Sequence, residues 1–352
     1  MIIDGQYFKK HLGLLVVASA ILFFAVRWAC VEIHRTYYNF KRPLNFNAAI
    51  FIEARAKPGY FSDHTGDIVI LNLENGQKYY LNSDGYDDDY PVLSSDRERI
   101  YFRSKRTYDD LQRRIEGIPR NSVLFALSLR DRSVTALPVN TTAEGYTGFG
   151  LITGMTTVPG DTAIIFCSSD ELRIYSMKDK TVHRFHGKPD DMEFAWNMGV
   201  TPDSKFLYVN FNQKGHYNYK TYISMLSDST NLLSFENYTH KDIQVIGYNK
   251  NCGAFYLKYR TTDSAYKDLP TEIYKFYPAD KRLELFHRFD KEFDRGFFPT
   301  FMPNDTIIVG TAWAKTSELS LVSKIYHLPT GEIHTIKDNS NLRHTSYSYF
   351  WK

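Results

Sequence analysis

Short runs of aromatic and β-branched residues recur along the chain, each bounded by polar residues. They are AAIFIEA (Ala48 to Ala54), RIYFRS (Arg99 to Ser104), TAIIFCS (Thr162 to Ser168), KFLYVNF (Lys205 to Phe211), GAFYLKY (Gly253 to Tyr259) and TIIVGTA (Thr306 to Ala312). Runs of this length and make-up predict β-strands. Polar turns precede most of them: LSSDRE, VPGD, TPDS, YNKNC and MPND stand before the second to the sixth. In TPDS, Pro202 presets φ for the second turn position, and Asp203 and Ser204 can bond their own backbone. After each run comes a segment that folds back on itself, at Asp67 to Leu81, Ser122 to Leu137, Glu171 to Phe185, Tyr222 to Phe235, Glu272 to Phe286 and Lys324 to Ile336. Asn75-Gly76 is the strongest of the hairpin turns, because both residues accept positive φ at little cost.

The strand runs start at 48, 99, 162, 205, 253 and 306, so they are 51, 63, 43, 48 and 53 residues apart. A period of roughly 40–50 residues with four strands per unit is the signature of a propeller blade and not of a helical solenoid. The pattern therefore predicts an all-β, six-bladed β-propeller over residues 48–352. Its last segment, RHTSYSYFWK (Arg343 to Lys352), alternates Tyr347, Tyr349 and Trp351 against Ser346, Ser348 and Phe350 and then stops. The first unit, by contrast, begins at its second strand. A C-terminal strand closing the first blade removes two exposed edges at once.

Ahead of the repeats, Leu12 to Val26 carries no charge, and Lys9 and Lys10 stand just before it. With Trp28 to Val31 beyond a snorkelling Arg27, this predicts a transmembrane signal anchor over 12–31, with residues 1–11 cytoplasmic and the remainder outside the cytoplasm. In a bacterium that is the periplasm. A cleaved signal peptide and lipidation at Cys30 are the rival readings. Residues 32–47 read as a short stalk.

Composition narrows the chemistry. A net charge of +3, not gathered in a block, gives no nucleic-acid footprint. Cys30, Cys167 and Cys252 are too few and too scattered for a disulfide framework or a zinc site. Cys167 reads as a buried core thiol and Cys252 as a turn residue. The run Asp87 to Asp89 with Asp84 lacks the spacing of a calcium loop and reads as a solvated acidic turn. His183 and His186 are expected on opposite sides of a strand. No cofactor or metal is expected. GxSxG, HExxH and GxxxxGK[ST] are absent from the sequence.

In a blade whose strands alternate direction, the connections between second and third strands share one face with the links between blades. These are the long and varied segments here, and grafted function usually sits on such loops. They are Lys57 to Gly66, Ser83 to Tyr90, Lys105 to Arg120, Gly187 to Glu193, Gln213 to Lys220, Thr261 to Pro270, Asp290 to Gly296 and Ala312 to Glu318. The candidate binding residues on them are Tyr60, His64, Tyr86, Tyr108, Arg113, Arg114, His216, Tyr217, Tyr266 and Trp313. Aromatic and Arg side chains on one face are what protein and sugar interfaces use.

The turns Thr201-Pro202-Asp203-Ser204, Ser94-Ser95-Asp96-Arg97, Val158-Pro159-Gly160-Asp161 and Met302-Pro303-Asn304-Asp305 resemble the TolB-type WD40-like repeat, in which a Ser-Pro-Asp-Gly turn leads into a strand and a hairpin. The resemblance spans Ala48 to Lys352. It implies a propeller, while the additional α/β domain that TolB carries before its propeller has no counterpart in the short segment before Ala48. The function expected is that of a membrane-tethered extracytoplasmic scaffold, a monomeric propeller binding a protein, a peptide or an envelope glycan. The alternative is a propeller enzyme, of polysaccharide lyase or glycosidase type, working in the central funnel; no catalytic set is assigned.

Overall fold

The computed structural model describes residues 16–26, 40, 42–56, 64–82, 86, 88–104, 123–139, 152–168, 171–187, 192–213, 219–234, 243–260, 271–289, 300–301, 307–313, 321–327, 330, 332–337 and 344–350. Apart from helix α1 at residues 16–26, the regular elements are strands. In chain order they are β1 (Ala48–Ala56), β2 (His64–Asn72) and β3 (Lys78–Tyr80), then β4 (Asp88–Leu93), β5 (Arg99–Ser104), β6 (Val123–Ser128) and β7 (Val134–Ala136). Next come β8 (Gly154–Thr157), β9 (Ala163–Cys167), β10 (Glu171–Ser176) and β11 (Val182–Gly187), and then β12 (Met192–Val200), β13 (Phe206–Gln213), β14 (Tyr219–Met225) and β15 (Asp228–Ser234). The chain ends with β16 (Ile243–Asn249), β17 (Ala254–Arg260), β18 (Thr271–Tyr277) and β19 (Arg282–Phe289), then β20 (Thr300–Phe301), β21 (Ile307–Trp313), β22 (Leu321–His327), β23 (Glu332–Lys337) and β24 (His344–Phe350).

These strands form six four-stranded sheets, each antiparallel and each, apart from the first, contiguous in sequence. The first sheet has the order β24-β1-β2-β3, so the C-terminal strand pairs with the first strand of the repeats. Ala48 lies opposite Phe350 and Ile50 opposite Ser348. First strands stand beside one another, β24 by β4, β4 by β8, β8 by β12 and β16 by β20, which makes the assembly a β-propeller. Five of the sheets are complete blades. In the sixth the inner strand is only Thr300–Phe301, so six equal blades are not what the described residues show.

The turn chemistry follows from backbone geometry. In Ser94 to Arg97, Val158 to Asp161 and Thr201 to Ser204 the fourth N–H donates to the first carbonyl, at 3.0, 3.0 and 2.8 Å. The fourth residue then adopts positive φ: 61° at Arg97, 54° at Asp161 and 57° at Ser204. Hairpin tips also take positive φ, at Gly76 (74°), Arg132 (61°), Lys180 (58°) and Lys281 (55°), with the N–H of Gly76, Arg132 and Lys180 donating to the carbonyl four residues back. Left-handed φ crowds Cβ against the carbonyl in every residue except glycine, at about 1 kcal/mol or slightly more, partly offset by glycine's greater unfolded-state entropy. Lys281→Gly should therefore raise stability by up to about 1 kcal/mol while Gly76→Ala lowers it by a similar amount. Urea titrations in which both changes move in the same direction would refute this account.

Two findings bear on the reading of the N-terminus. Helix α1 spans eleven residues, about 16 Å at 1.5 Å per residue, roughly half of a bilayer core. Among the described residues no helix is long and apolar enough to cross a membrane; residues 12–15 and 27–31 of the expected anchor lie outside them. Nor is the end of the stalk free. Phe40 and Leu44 are buried with Ile50, Tyr79, Ile100 and Leu129 in one core cluster. The Phe40 N–H donates to Leu129 O at 2.6 Å, Leu44 N–H to Arg97 O at 3.0 Å, and Leu73 N–H to Asn47 O at 2.9 Å. The rings of Phe40, Phe46 and Tyr79 lie 5.4–5.9 Å apart. Residues 40–47 are thus a strap across the first two sheets, because a segment with two Phe and a Leu gains more by burying them than by remaining a solvated spacer.

Candidate binding face

Antiparallel strand order fixes two faces. Turns between first and second strands and the hairpin tips share one, and the remaining connections share the other. The first face is knitted together by its own turns. The Ser95 N–H donates to both Asp161 carboxylate oxygens, at 2.8 and 2.9 Å, and the Gly160 N–H donates to Ser95 Oγ at 2.8 Å. These bonds tie the second sheet to the third. Asp131, at a hairpin tip, is held down to about 2 by the Ser133 backbone N–H and then by the Ser133 hydroxyl.

On the opposite face the described residues assemble at the mouth formed by the ends of β4 and β5. The link leaving β3 is caught by Asn82, whose Oδ1 accepts from Ile68 N–H at 2.6 Å and whose Nδ2 donates to Asp88 Oδ2 at 2.8 Å. Asp88 is fully buried opposite Ser104, also fully buried. Next along β4, Asp89 lies opposite Arg103 and pairs with it. Arg103 also donates through Nη1 to Ile152 O at 2.8 Å, reaching the link into the third sheet. Its guanidinium sits 5.3 Å from the centre of the Tyr90 ring. The run expected to be a solvated acidic turn is therefore in part a strand start, with one carboxylate buried and the next ion-paired. A charge in this position is retained because a partner and hydrogen bonds compensate its desolvation.

Tyr90 itself is unusual. The register of β4 slips between Asp89 and Val92, and Tyr90 takes φ of 52° immediately before Pro91. Proline fits the bulge because it has no N–H to offer the ladder, yet a non-glycine residue in the left-handed region before proline is strained. Burial, then the charge of Asp89, push the Tyr90 phenol up to about 12 against the lowering influence of Arg103.

The ten residues expected on this face are placed as follows. Tyr86 is half-buried in the link just before Asp88. His64 opens β2 opposite Ala56, and Trp313 closes β21 opposite Leu321, so both strand ends lie at this face. Tyr60, Tyr108, Arg113, Arg114, His216, Tyr217 and Tyr266 lie outside the described residues. Several boundaries shift: β2 begins at His64 inside the expected 57–66 loop, β4 at Asp88 inside 83–90, β12 at Met192 inside 187–193 and β14 at Tyr219 inside 213–220, and β21 runs to Trp313 inside 312–318. Sequence reading missed Asn82 and Arg103. A charged residue within the apolar run RIYFRS facing an acidic run was the available signal, and it became visible only with the register.

Cys167 is buried and Cys252 exposed in the turn Lys250 to Gly253. His183 contacts Thr181 Oγ1 at 2.7 Å; the alternation expected to put His183 and His186 on opposite sides is broken by a bulge in β11, which leaves His183 opposite Ile174 and His186 opposite Leu172, two residues apart on β10. Among the described residues there is no group of three or more His, Cys, Asp or Glu suited to a metal.

Burial also raises Tyr175 to about 12, where its hydroxyl donates to Pro138 O at 2.8 Å, and it raises Tyr208, whose phenolic end is enclosed against Gly199, to about 12. Because the folded values lie above the ordinary 10, these tyrosines contribute stability that is complete below pH 10 and lost as pH rises toward 12. Melting temperatures should fall over that window. Tyr208→Phe, which cannot ionise, should flatten the fall; an identical profile in the variant would refute the assignment.

Comparison with known proteins follows from this geometry. No family model matches the sequence, and no curated protein matches it. Among solved structures the fold is similar to TolB from Acinetobacter baumannii, with a TM-score of 0.61 and 12% identity over 88% of this chain and 68% of that one. It is similar also to a chain of a nidogen/laminin complex (0.56, 12%, 86% and 98%) and to a TolB-like protein from Agrobacterium tumefaciens (0.52, 12%, 88% and 100%). At these identities the likeness establishes the β-propeller with TolB-type neighbours.

Proposed function

We propose that the protein is a six-bladed propeller tethered to a membrane by its N-terminal apolar segment, outside the cytoplasm, and that its loop face binds a protein, a peptide or an envelope glycan. The observation that carries this reading is the mouth at β4 and β5. There the strained Tyr90 and the partly exposed Asp89 carboxylate stand at the start of β4, with half-buried Tyr86 in the link just before it. Strain held in place by a buried Arg is what a pre-organised recognition surface requires. The opposite face spends its polar groups on its own turns.

Burial first, then the charge of Asp89, keeps Tyr90 neutral, while at the turn carboxylates Asp96 and Asp203 the upward push of burial is outweighed only by the sum of the Ser94 or Thr201 hydroxyl bond, the Glu98 or Lys205 backbone N–H and the neighbouring Arg or Lys charges. The test is affinity capture from an envelope extract with the detergent-solubilised full chain. Tyr86→Ala combined with Tyr217→Ala and Trp313→Ala should lose the captured partner. Undiminished capture by a folded triple variant would exclude this face.

A further inference from the structure

The strap places the two faces relative to the tether. The backbone bonds described above from residues 40–47 go to the turn side of the propeller: Leu129 and Leu73 follow β6 and β2 at the hairpin tips, and Arg97 lies in the turn between β4 and β5. Asn47 N–H adds a bond to Glu74 Oε1 at 3.3 Å in the same hairpin. Phe40, where the described chain resumes after α1, therefore sits at the turn face. Ahead of it is α1, whose Val16, Val17, Ile21, Leu22, Phe23, Phe24 and Val26 are between 53% and 66% exposed. A helix that is apolar on all sides has no polar face to leave in water and so does not lie in a surface groove; it is suited to immersion in hydrocarbon. The uncharged run from Leu12 to Val26 behind Lys9 and Lys10 has the matching charge pattern.

We infer that α1 is seated in a lipid bilayer and that the strap turns the knitted turn face toward that bilayer, so that the loop face is presented away from it. The inference rests on the tethered reading above and adds its orientation. Geometry limits the alternatives. Thirteen residues separate Val26 from Phe40, a reach of at most about 45 Å when fully extended. Bringing the loop face to the bilayer requires the chain to pass along the full depth of a blade, about 30 Å for the nine-residue β1, and around its rim. A polymer pays entropy for that extension, whereas leaving directly from the turn face requires none.

Cys252 supplies a native reporter, exposed in a turn on the proposed membrane-facing side. The full chain carrying Cys30→Ser is labelled at Cys252 with a donor fluorophore and reconstituted into phosphatidylcholine–phosphatidylglycerol vesicles bearing a headgroup acceptor. Two further proteins, each also carrying Cys252→Ser, are labelled at Lys180→Cys on the same face and at His216→Cys on the loop face. Transfer should be several-fold more efficient from Cys252 and Lys180→Cys than from His216→Cys. Equal or reversed transfer in protein that floats with the vesicles overturns the orientation and leaves the tether standing. Protein that does not float overturns both.

Discussion

Removal of Arg343 to Lys352 is expected to abolish the monomeric fold. Among the described residues, strand β24 is the partner for the inner edge of β1, through Ala48 to Phe350, Ala49 to Tyr349, Ile50 to Ser348, Ile52 to Thr345 and Glu53 to His344. It also stands beside β4 and so joins the first sheet to the second at the centre. Without it, the row of backbone groups on β1 opens beside Ala48, Ile50 and Ile52, whose side chains are almost wholly buried. An unpaired apolar edge is a template for association. Light scattering should show oligomers or aggregate, and cooperative melting should be lost. A synthetic peptide of Arg343 to Lys352 supplied in trans should restore part of both. A truncated protein that remains monomeric with unchanged melting refutes the closure.

How much of this was readable depends on which strand is considered. Second, third and fourth strands have a simple period and turn residues at both ends, so Arg99 to Ser104 was located to the residue. First strands were largely hidden. β4, β12 and β16 are each interrupted by a register shift, at Asp89/Val92, Ala195/Asn197 and Val245/Gly247, and a bulge breaks the two-residue alternation by which a strand is recognised. They also carry buried polar residues such as Asp88, Gln244 and Asn249, which read as loop. The strap was invisible for another reason. Phe40, Leu44 and Phe46 have no periodicity, because they fill a groove that exists only after two sheets have met.

The seam between β12–β15 and β16 illustrates the same limit. Asn210 Nδ2 donates to Val245 O at 2.8 Å and its Oδ1 accepts from Val245 N–H at 3.0 Å, while Thr221 Oγ1 lies 2.7 Å from Ile243 O. In sequence, Asn210 is simply a polar residue in an aromatic strand. Its meaning comes from a partner 35 residues away. The candidate face was legible to the extent that it depends on strand direction, which fixes where each connection lies. Its mouth was not, because Arg103 and Asp89 become a pair only through the register of two neighbouring strands.

That pair sets the second large expectation. Arg103 holds together three things, the Asp89 carboxylate, the Ile152 carbonyl in the next link and the face of Tyr90. Its side chain is about nine-tenths buried, whereas that of Asp89 retains 21% exposure. Arg103→Met keeps most of the volume but strips the carboxylate and the carbonyl of their donor, and leaving a charge buried without its partner costs about 3–5 kcal/mol in a dry site. Water reaching Asp89 lowers that figure to about 2–4 kcal/mol. Asp89→Leu alone should cost a comparable amount by stranding the guanidinium. The combined variant should recover much of the loss, because two apolar groups leave neither charge unpaired. Urea denaturation of the four proteins gives the coupling directly. Simple additivity of the two costs would show that Arg103 and Asp89 do not act as a unit, and the mouth would then lack the rigid support on which pre-organised binding depends.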